Sequence, residues 1–395
     1  MSDSLSRSQL TVLVLALMAT GIGQSLVFAI LAPLGREVGM AEIQVTGIIA
    51  VSSFVYAAAS PRWGRRSDRV GRKPVIITGL LGYALGTLLF ASVFLVGLAG
   101  TVTGTLFFLL ALAARGGQSA VMSATAPSAT AYAADCAPPQ RRTAAMASLG
   151  TANSMGMILG PAVSGALATL GLLAPLYFAG LLACGAALLV WKALPALPPT
   201  ALRQRNPRRM RYLDPRIRRY ALTAIALFTG FSAIQQTLGF QLQDKLLLDG
   251  VATAQFNGGA LMVSALFTFL MQVTVMQRVK APPRVFIRLG LVLLGIGGLI
   301  VSSFGSFTTL AFGMAFFGSG LGLAMPAITA GASLAVPPEE QGAAAGVIAA
   351  CPAVGFVAGP VAGGLLYPLA PSGPALTGAA IFFITVAILA LTSRS

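Results

Sequence analysis

Residues 74–114, PVIITGLLGYALGTLLFASVFLVGLAGTVTGTLFFLLALAA, contain no Asp, Glu, Lys or Arg. The run is about twice the ~20 residues that carry a helix once across a bilayer. Hydrocarbon offers no water to satisfy peptide groups, so such a run crosses only as helix and must fold back as a helical hairpin. Further charge-free runs include 8–35, 43–61, 143–191, 220–243, 289–338 and 341–393. Dividing them at Gly, Pro and polar punctuation predicts spans at 10–34, 43–60, 74–96, 103–133, 143–168 and 173–193. A second set follows at 219–242, 255–276, 285–304, 308–333, 343–368 and 373–392, so the expected fold is an all-α membrane protein of twelve spans.

Composition agrees. Of 395 residues 56% are hydrophobic and 9% charged, with a mean hydropathy of +0.85, where soluble domains carry about a quarter charged residues. The formal net charge of +16 invites a nucleic-acid reading. Such binding needs the cations on one accessible face, and here they sit in short clusters between apolar runs. All 26 except Arg36, Lys245 and Arg115 fall on one side of the predicted topology. By the rule that cytoplasmic loops retain Lys and Arg, both termini are expected in the cytoplasm. The first span follows a lone Arg7 as a signal peptide would, but its apolar stretch is longer than a cleavable core, so it is read as a retained helix. Histidine is absent and Cys136, Cys184 and Cys351 are far apart, which speaks against a zinc site, a histidine relay or a disulfide framework. No metal or cofactor is expected.

Between the sixth and seventh spans, 194–218 holds Pro195, Pro198, Pro199, Pro207 and Pro215 among arginines. It reads as a solvated basic linker near anionic headgroups, dividing the chain into six-helix bundles at 1–193 and 219–395. The halves repeat. Gly160-Pro161 recurs as Gly359-Pro360 and Pro138-Pro139 as Pro337-Pro338, both offset by 199 residues. Two similar bundles are what alternating exposure of one central site requires.

After the second span the chain reads Gly64-Arg65-Arg66-Ser67-Asp68-Arg69-Val70-Gly71-Arg72-Lys73. Positive-inside charge explains the arginines but neither the lone Asp68 nor the glycine spacing. This stretch resembles the loop between the second and third helices of the major facilitator superfamily: Gly, three residues, Asp-Arg, one residue, Gly-Arg-Lys/Arg. Every fixed position is filled. The resemblance implies that Gly64, Asp68, Arg69, Gly71, Arg72 and Lys73 latch the cytoplasmic side in the outward-facing state, with Asp135 as acidic partner to an arginine. The corresponding stretch of the second half, Gln277 to Arg284, lacks the Asp and the glycines, so the latch is expected to be one-sided.

In the fifth span Gly156, Gly160, Pro161 and Gly165 are spaced for close helix packing, and Pro permits a kink. They also resemble the antiporter signature of the same superfamily, with Ser164 in place of one glycine; that signature implies export. The eleventh span carries the full pattern in Gly355, Gly359, Pro360, Gly363 and Gly364.

Arg115 lies inside the fourth span with Gln118 one turn later. A cation at that depth costs several kcal/mol unless it faces protein or water, so it is a functional candidate by default. Arg115-Gly116-Gly117-Gln118 also resembles the family's fourth-helix motif, with Ser119 replacing its last glycine. Spans one, four, seven and ten line the cavity in the family. That selects Gln24, Phe28, Arg115, Gln118, Met122, Gln235 and Gln236 as substrate-binding candidates. None of the ten acids falls deep in a span, and Gln24 stands where many cation exporters of the family place an acid. Cationic substrates are disfavoured, and Arg115, Asp135, Glu37 and Asp244 remain candidates for proton coupling.

The expectation is a monomeric, proton-coupled antiporter of the twelve-helix drug branch, in a bacterial inner membrane, exporting a neutral or anionic amphipathic molecule. The alternative is a dedicated exporter or importer of one metabolite, such as a carboxylate siderophore. An intramembrane enzyme would need a nucleophile or metal constellation that this chain does not offer, and a channel would lack saturable counterflow.

Overall fold

A computed structural model describes residues 6–138, 142–196, 210–211, 213–337 and 340–391. Most of the expected linker at 194–218, with Pro139 and Pro338 of the repeated pairs, lies outside them. Among the described residues every regular element is helical: thirteen α-helices and one short 3₁₀ turn, with no strand. In chain order they are α1 (Arg7–Glu37), α2 (Glu42–Val70), α3 (Arg72–Leu98), α4 (Gly104–Met122), α5 (Thr125–Cys136), α6 (Arg142–Leu167) and α7 (Ala174–Ala193). The second set is α8 (Arg218–Leu246), α9 (Gly250–Arg278), α10 (Pro283–Ser303), α11 (Phe307–Leu334), α12 (Gln341–Leu366) and α13 (Gly373–Leu391). Helices α4 and α5 together form one span. Eleven spans are long and apolar enough to cross a membrane, and α6, with 26 residues, has the length of the twelfth. The twelve predicted spans are therefore present in order.

Local chemistry sets the breaks. Ser6 and Gln9 cap α1 reciprocally, each side chain accepting from the other's backbone N–H. Between α4 and α5 the Ala124 N–H bonds to Val121 O, leaving Ala120 O without its usual helical donor. Trp63 Nε1 at 2.7 Å and Ser123 Oγ at 2.9 Å donate to that carbonyl instead. The kink is thus stabilised from α2, as a helix interruption in lipid demands.

One expectation changes. The stretch 64–73, read as a loop, is two helix ends joined at a single residue: α2 runs to Val70, α3 starts at Arg72, and Gly71 alone breaks the helix at φ 97°. Arginine is a good helix former that needs no burial, so a run of arginines extends the helix beyond the apolar segment. A backbone at that φ favours glycine.

The chain divides into two compact units. One comprises Met1–Met40, Val51–Gln204 and Gly250–Gly258; the other Ala41–Ala50, Arg205–Asp249 and Gly259–Ser395. Within the first, Leu13, Leu17, Ile76, Leu80, Tyr132, Leu149 and Val190 form a buried apolar cluster contributed by α1, α3, α5, α6 and α7.

Candidate functional site

In the first unit a polar cluster forms between α3 and α4. Arg115 is 5% and Gln118 2% exposed. Arg115 Nη1 donates to Gln118 Oε1 at 2.5 Å, and Gln118 Nε2 donates to Thr87 Oγ1 and, at 3.4 Å, to Tyr83 O. The guanidinium carbon lies 5.8 Å from the Phe90 ring centroid, on the apolar side of the cluster. Gly86 lets α3 come this close, because a Cβ there would lie 2.6 Å from Gln118 Cβ. Gly23 does the same for α1, where a Cβ would collide with the Tyr83 hydroxyl. Beside it Gln24 is half-buried on α1. Met122 is buried and Phe28 half-buried, each one turn beyond a polar candidate.

The charge is what matters here. Among the described residues Arg115 makes no ion pair, and its buried Nε has no hydrogen-bond partner. A buried guanidinium with a spare donor is an incomplete arrangement, which an anionic or hydrogen-bond-accepting group completes.

At the basic end of the same unit, Arg72 joins three partners. It bonds Asp68 Oδ1 at 2.5 Å, Asp135 Oδ2 at 3.0 Å and Ser67 Oγ at 2.7 Å, with its side chain 10% exposed against 50% for Asp68. Lys73 Nζ donates to Trp191 O at 2.7 Å, tying α3 to the end of α7. Arg69 lies beside Arg62, Arg65 and Arg66 in an exposed basic cavity. Gly64 has open space where a Cβ would stand, so nothing in this arrangement requires glycine there.

Helices α1 and α6 meet at the glycines. A Cβ on Gly160 would strike Ser25 Oγ and lie 2.5 Å from Ile22 O, and one on Gly156 would strike Met18 O. A Cβ on Gly165 would lie 3.2 Å from Gln255 Cα of α9. In the second unit α8 and α12 repeat the arrangement. A Cβ on Gly359 would strike Ser232 Oγ and lie 2.5 Å from Thr229 O; at Gly355 it would strike Phe228 and at Gly363 it would lie 3.0 Å from Thr237.

On α8 the amides of Gln235, Gln236 and Gln241 each keep a buried atom with no partner among the described residues. Of the proposed coupling acids, Glu37 and Asp244 are exposed, and Asp244 accepts a hydrogen bond from Tyr367 at 2.5 Å. Asp135 is held in a half-buried ion pair by Arg72. Ahead of α8, Arg216 binds Asp214 at 2.9 Å and, beyond α11, Glu340 at 2.7 Å. Its side-chain and backbone hydrogen bonds hold the Asp214 carboxyl down to about 2.

Residues 13–281 match the Major Facilitator Superfamily. The chain belongs to this superfamily. It is a multi-pass membrane transporter rather than an enzyme. It is 26% identical over 334 residues to Multidrug resistance protein 2 of Bacillus subtilis, covering 82% of this chain and 79% of that one. It is 27% identical over 390 residues to Multidrug resistance protein 1 of the same organism, covering 96% and 93%. The crystal structure of the nucleoside transporter NupG shares the fold, with a TM-score of 0.77 at 12% identity over 99% of this chain and 100% of that one.

The sequence missed one residue that this facilitator fold brings into play. Asn257, on the first turns of α9, is 0% exposed, and its Nδ2 donates to Ala29 O at 3.1 Å and Phe28 O at 3.3 Å. Pro33 has no N–H, so Ala29 O lacks its normal helical donor and the Asn257 amide supplies it. The signal was one of several amides in its span together with a proline inside another, and nothing in the sequence pairs the two.

Proposed function

We propose that this transporter exports small neutral or anionic amphipathic molecules in exchange for protons by alternating access, in a bacterial inner membrane with both termini cytoplasmic. The observation that carries the reading is Arg115, a buried cation with an unsatisfied Nε and no paired acid among the described residues. A substrate carboxylate or carbonyl would complete its hydrogen bonds. Gln118, Gln24, Gln235 and Gln236 would orient the polar end while Phe28 and Met122 meet the apolar part. Export is supported by the Gly-Pro signature and by relatives named for multidrug resistance, Multidrug resistance proteins 1 and 2. Asp68 and Arg72 set the balance between the two access states. Asp135, which Arg72 holds, is the acid assigned to proton coupling in preference to the exposed Glu37 and Asp244.

The test is transport in proteoliposomes with and without an imposed pH gradient. Arg115→Ala is expected to weaken uptake of anionic amphipathic substrates at least about tenfold, the scale of a lost charged hydrogen bond. Arg115→Lys keeps the charge but not the planar fork and should fall between the two. Wild-type rates for Arg115→Ala would remove the assignment.

A further inference from the structure

We infer that the basic end of the second unit holds the headgroup of an anionic phospholipid carrying two phosphates. Two cavities open side by side there. The first, of about 500 Å³, is lined by Arg219, Arg284 and Arg288 together with Tyr220. The second, of about 550 Å³, adds Arg218 and shares Arg219, Thr223 and Leu389 with the first. No acidic residue is among the described lining of either. Arg216, at the rim of the second, is already engaged by Asp214 and Glu340.

Two of the remaining cations are anchored by neighbouring groups. The Arg219 guanidinium lies 4.9 Å from the Tyr220 ring centroid and its Nη2 donates to the Tyr220 hydroxyl at 3.2 Å. Tyr220 in turn packs on Gly331, where a Cβ would lie 2.5 Å from the ring. Arg288 Nη2 donates to Leu389 O of α13 at 2.7 Å. A guanidinium has five N–H donors, so Arg219 keeps donors for a phosphate after its bond to Tyr220 is made.

The surroundings favour a lipid over a dissolved anion. The cavities lie where α8 and α10 begin and α11 and α13 end, the headgroup level for spans of this length. Beside Thr223 and Thr385, their walls carry apolar side chains, Ile287 and Leu334 in the first and Leu222 and Ile388 in the second, against which acyl chains can lie. Basic pockets between membrane helices are the recognised setting for anionic headgroups. Two adjoining basic cavities sharing one arginine match two phosphates on one glycerol bridge better than a single phosphodiester. None of these residues belongs to the transport site proposed above.

The test is native mass spectrometry of the full chain released from detergent and titrated with diphosphatidylglycerol, phosphatidylglycerol or phosphatidylcholine. Wild-type protein should retain diphosphatidylglycerol most tightly. Arg219→Gln/Arg284→Gln should weaken that binding about 30-fold, roughly fivefold for each surface cation removed. Phosphatidylcholine binding should not change. Transport in pure phosphatidylcholine vesicles should match wild type, which shows that the variant folds. Unchanged diphosphatidylglycerol affinity in the variant would overturn the proposal. Equal affinity for phosphatidylglycerol, or displacement by millimolar inorganic phosphate, would also overturn it by revealing a site for one phosphate or for a free anion.

Discussion

The two units share their apolar clasp and differ in their charged ends. In the first, Ser25 of α1 lies against Gly160 of α6 and its hydroxyl reaches Gly156 O at 3.4 Å. In the second, Ser232 of α8 lies against Gly359 of α12 and donates to Gly355 O at 2.8 Å. At the charged ends the first unit ties α2, α3 and α5 through Arg72 to Asp68 and Asp135. The second has no such acid between α9 and α10, and Arg216, ahead of α8, reaches Glu340 beyond α11 instead. Lipid supplies no hydrophobic drive between helices, so close backbone approach must hold each pair together in both halves. The ion pairs lie nearer the rim, from the half-buried Arg72–Asp135 pair to the more exposed Arg216 pairs, where the two halves can differ without losing the shared fold.

The largest effect should come from breaking the shared clasp. Gly160→Val and Gly359→Val each push a side chain into a serine hydroxyl and a backbone carbonyl, and each should cost about 3 kcal/mol, the upper range of overpacking. Thermal unfolding in detergent would measure it. Gly150→Ala, on α6 with open space at its Cβ, is the control and should not destabilise, since alanine inside a helix is favoured over glycine by about 0.5–1 kcal/mol. If one of the two valine variants unfolds like the control, the clasps are not equivalent.

What the sequence made legible follows the same division. The spans were readable because lipid forbids unpaired charge and unpaired backbone alike, so charge-free runs mark where helices cross, while the helix ends extend past them, by ten residues in all at α2. The Gly-Pro repeat was readable because close packing needs glycine. Arg115 stood out because a cation in an apolar run is costly, and it does lie in a polar cluster with Gln118. Its neighbours Tyr83, Thr87 and Phe90 did not stand out, since ordinary residues of an apolar helix acquire a role only when α3 packs on α4. The same holds at 64–73, where the pairing of Asp68, Arg72 and Asp135 followed the pattern but the helical backbone did not, because arginines hide the helix from an apolar periodicity.

A middle-sized effect should come from the asymmetric ends. Arg72→Ala leaves Asp135 half-buried without its cation, and should cost about 2 kcal/mol, between the exposed and the buried limits for a broken pair. Because the lost bonds join three helix ends, the variant should also shift the ratio of the two access states, read by spin-label distances across the basic side. Arg216→Ala, whose side chain is 44% exposed, should leave unfolding unchanged within error. A larger loss at Arg216 than at Arg72 would reverse the claim that the first unit carries the structural ion pairs.

The smallest effect tests an asymmetry inside the clasps themselves. Eight residues after Ser25 stands Pro33, whereas eight residues after Ser232 stands Phe240, and α8 contains no proline. Only α1 of the two therefore has a carbonyl orphaned at that level, and Asn257 meets it. Asn257→Ala should cost about 1 kcal/mol, the net value of a buried hydrogen bond. In a Pro33→Ala background the helix regains its own N–H donor to Ala29 O, so the same substitution should cost less, with a coupling of at least about 0.5 kcal/mol. Equal costs in the two backgrounds would mean that Asn257 holds α9 against α1 through Phe28 O or by packing alone. The proline would then be a kink with no partner assigned to it.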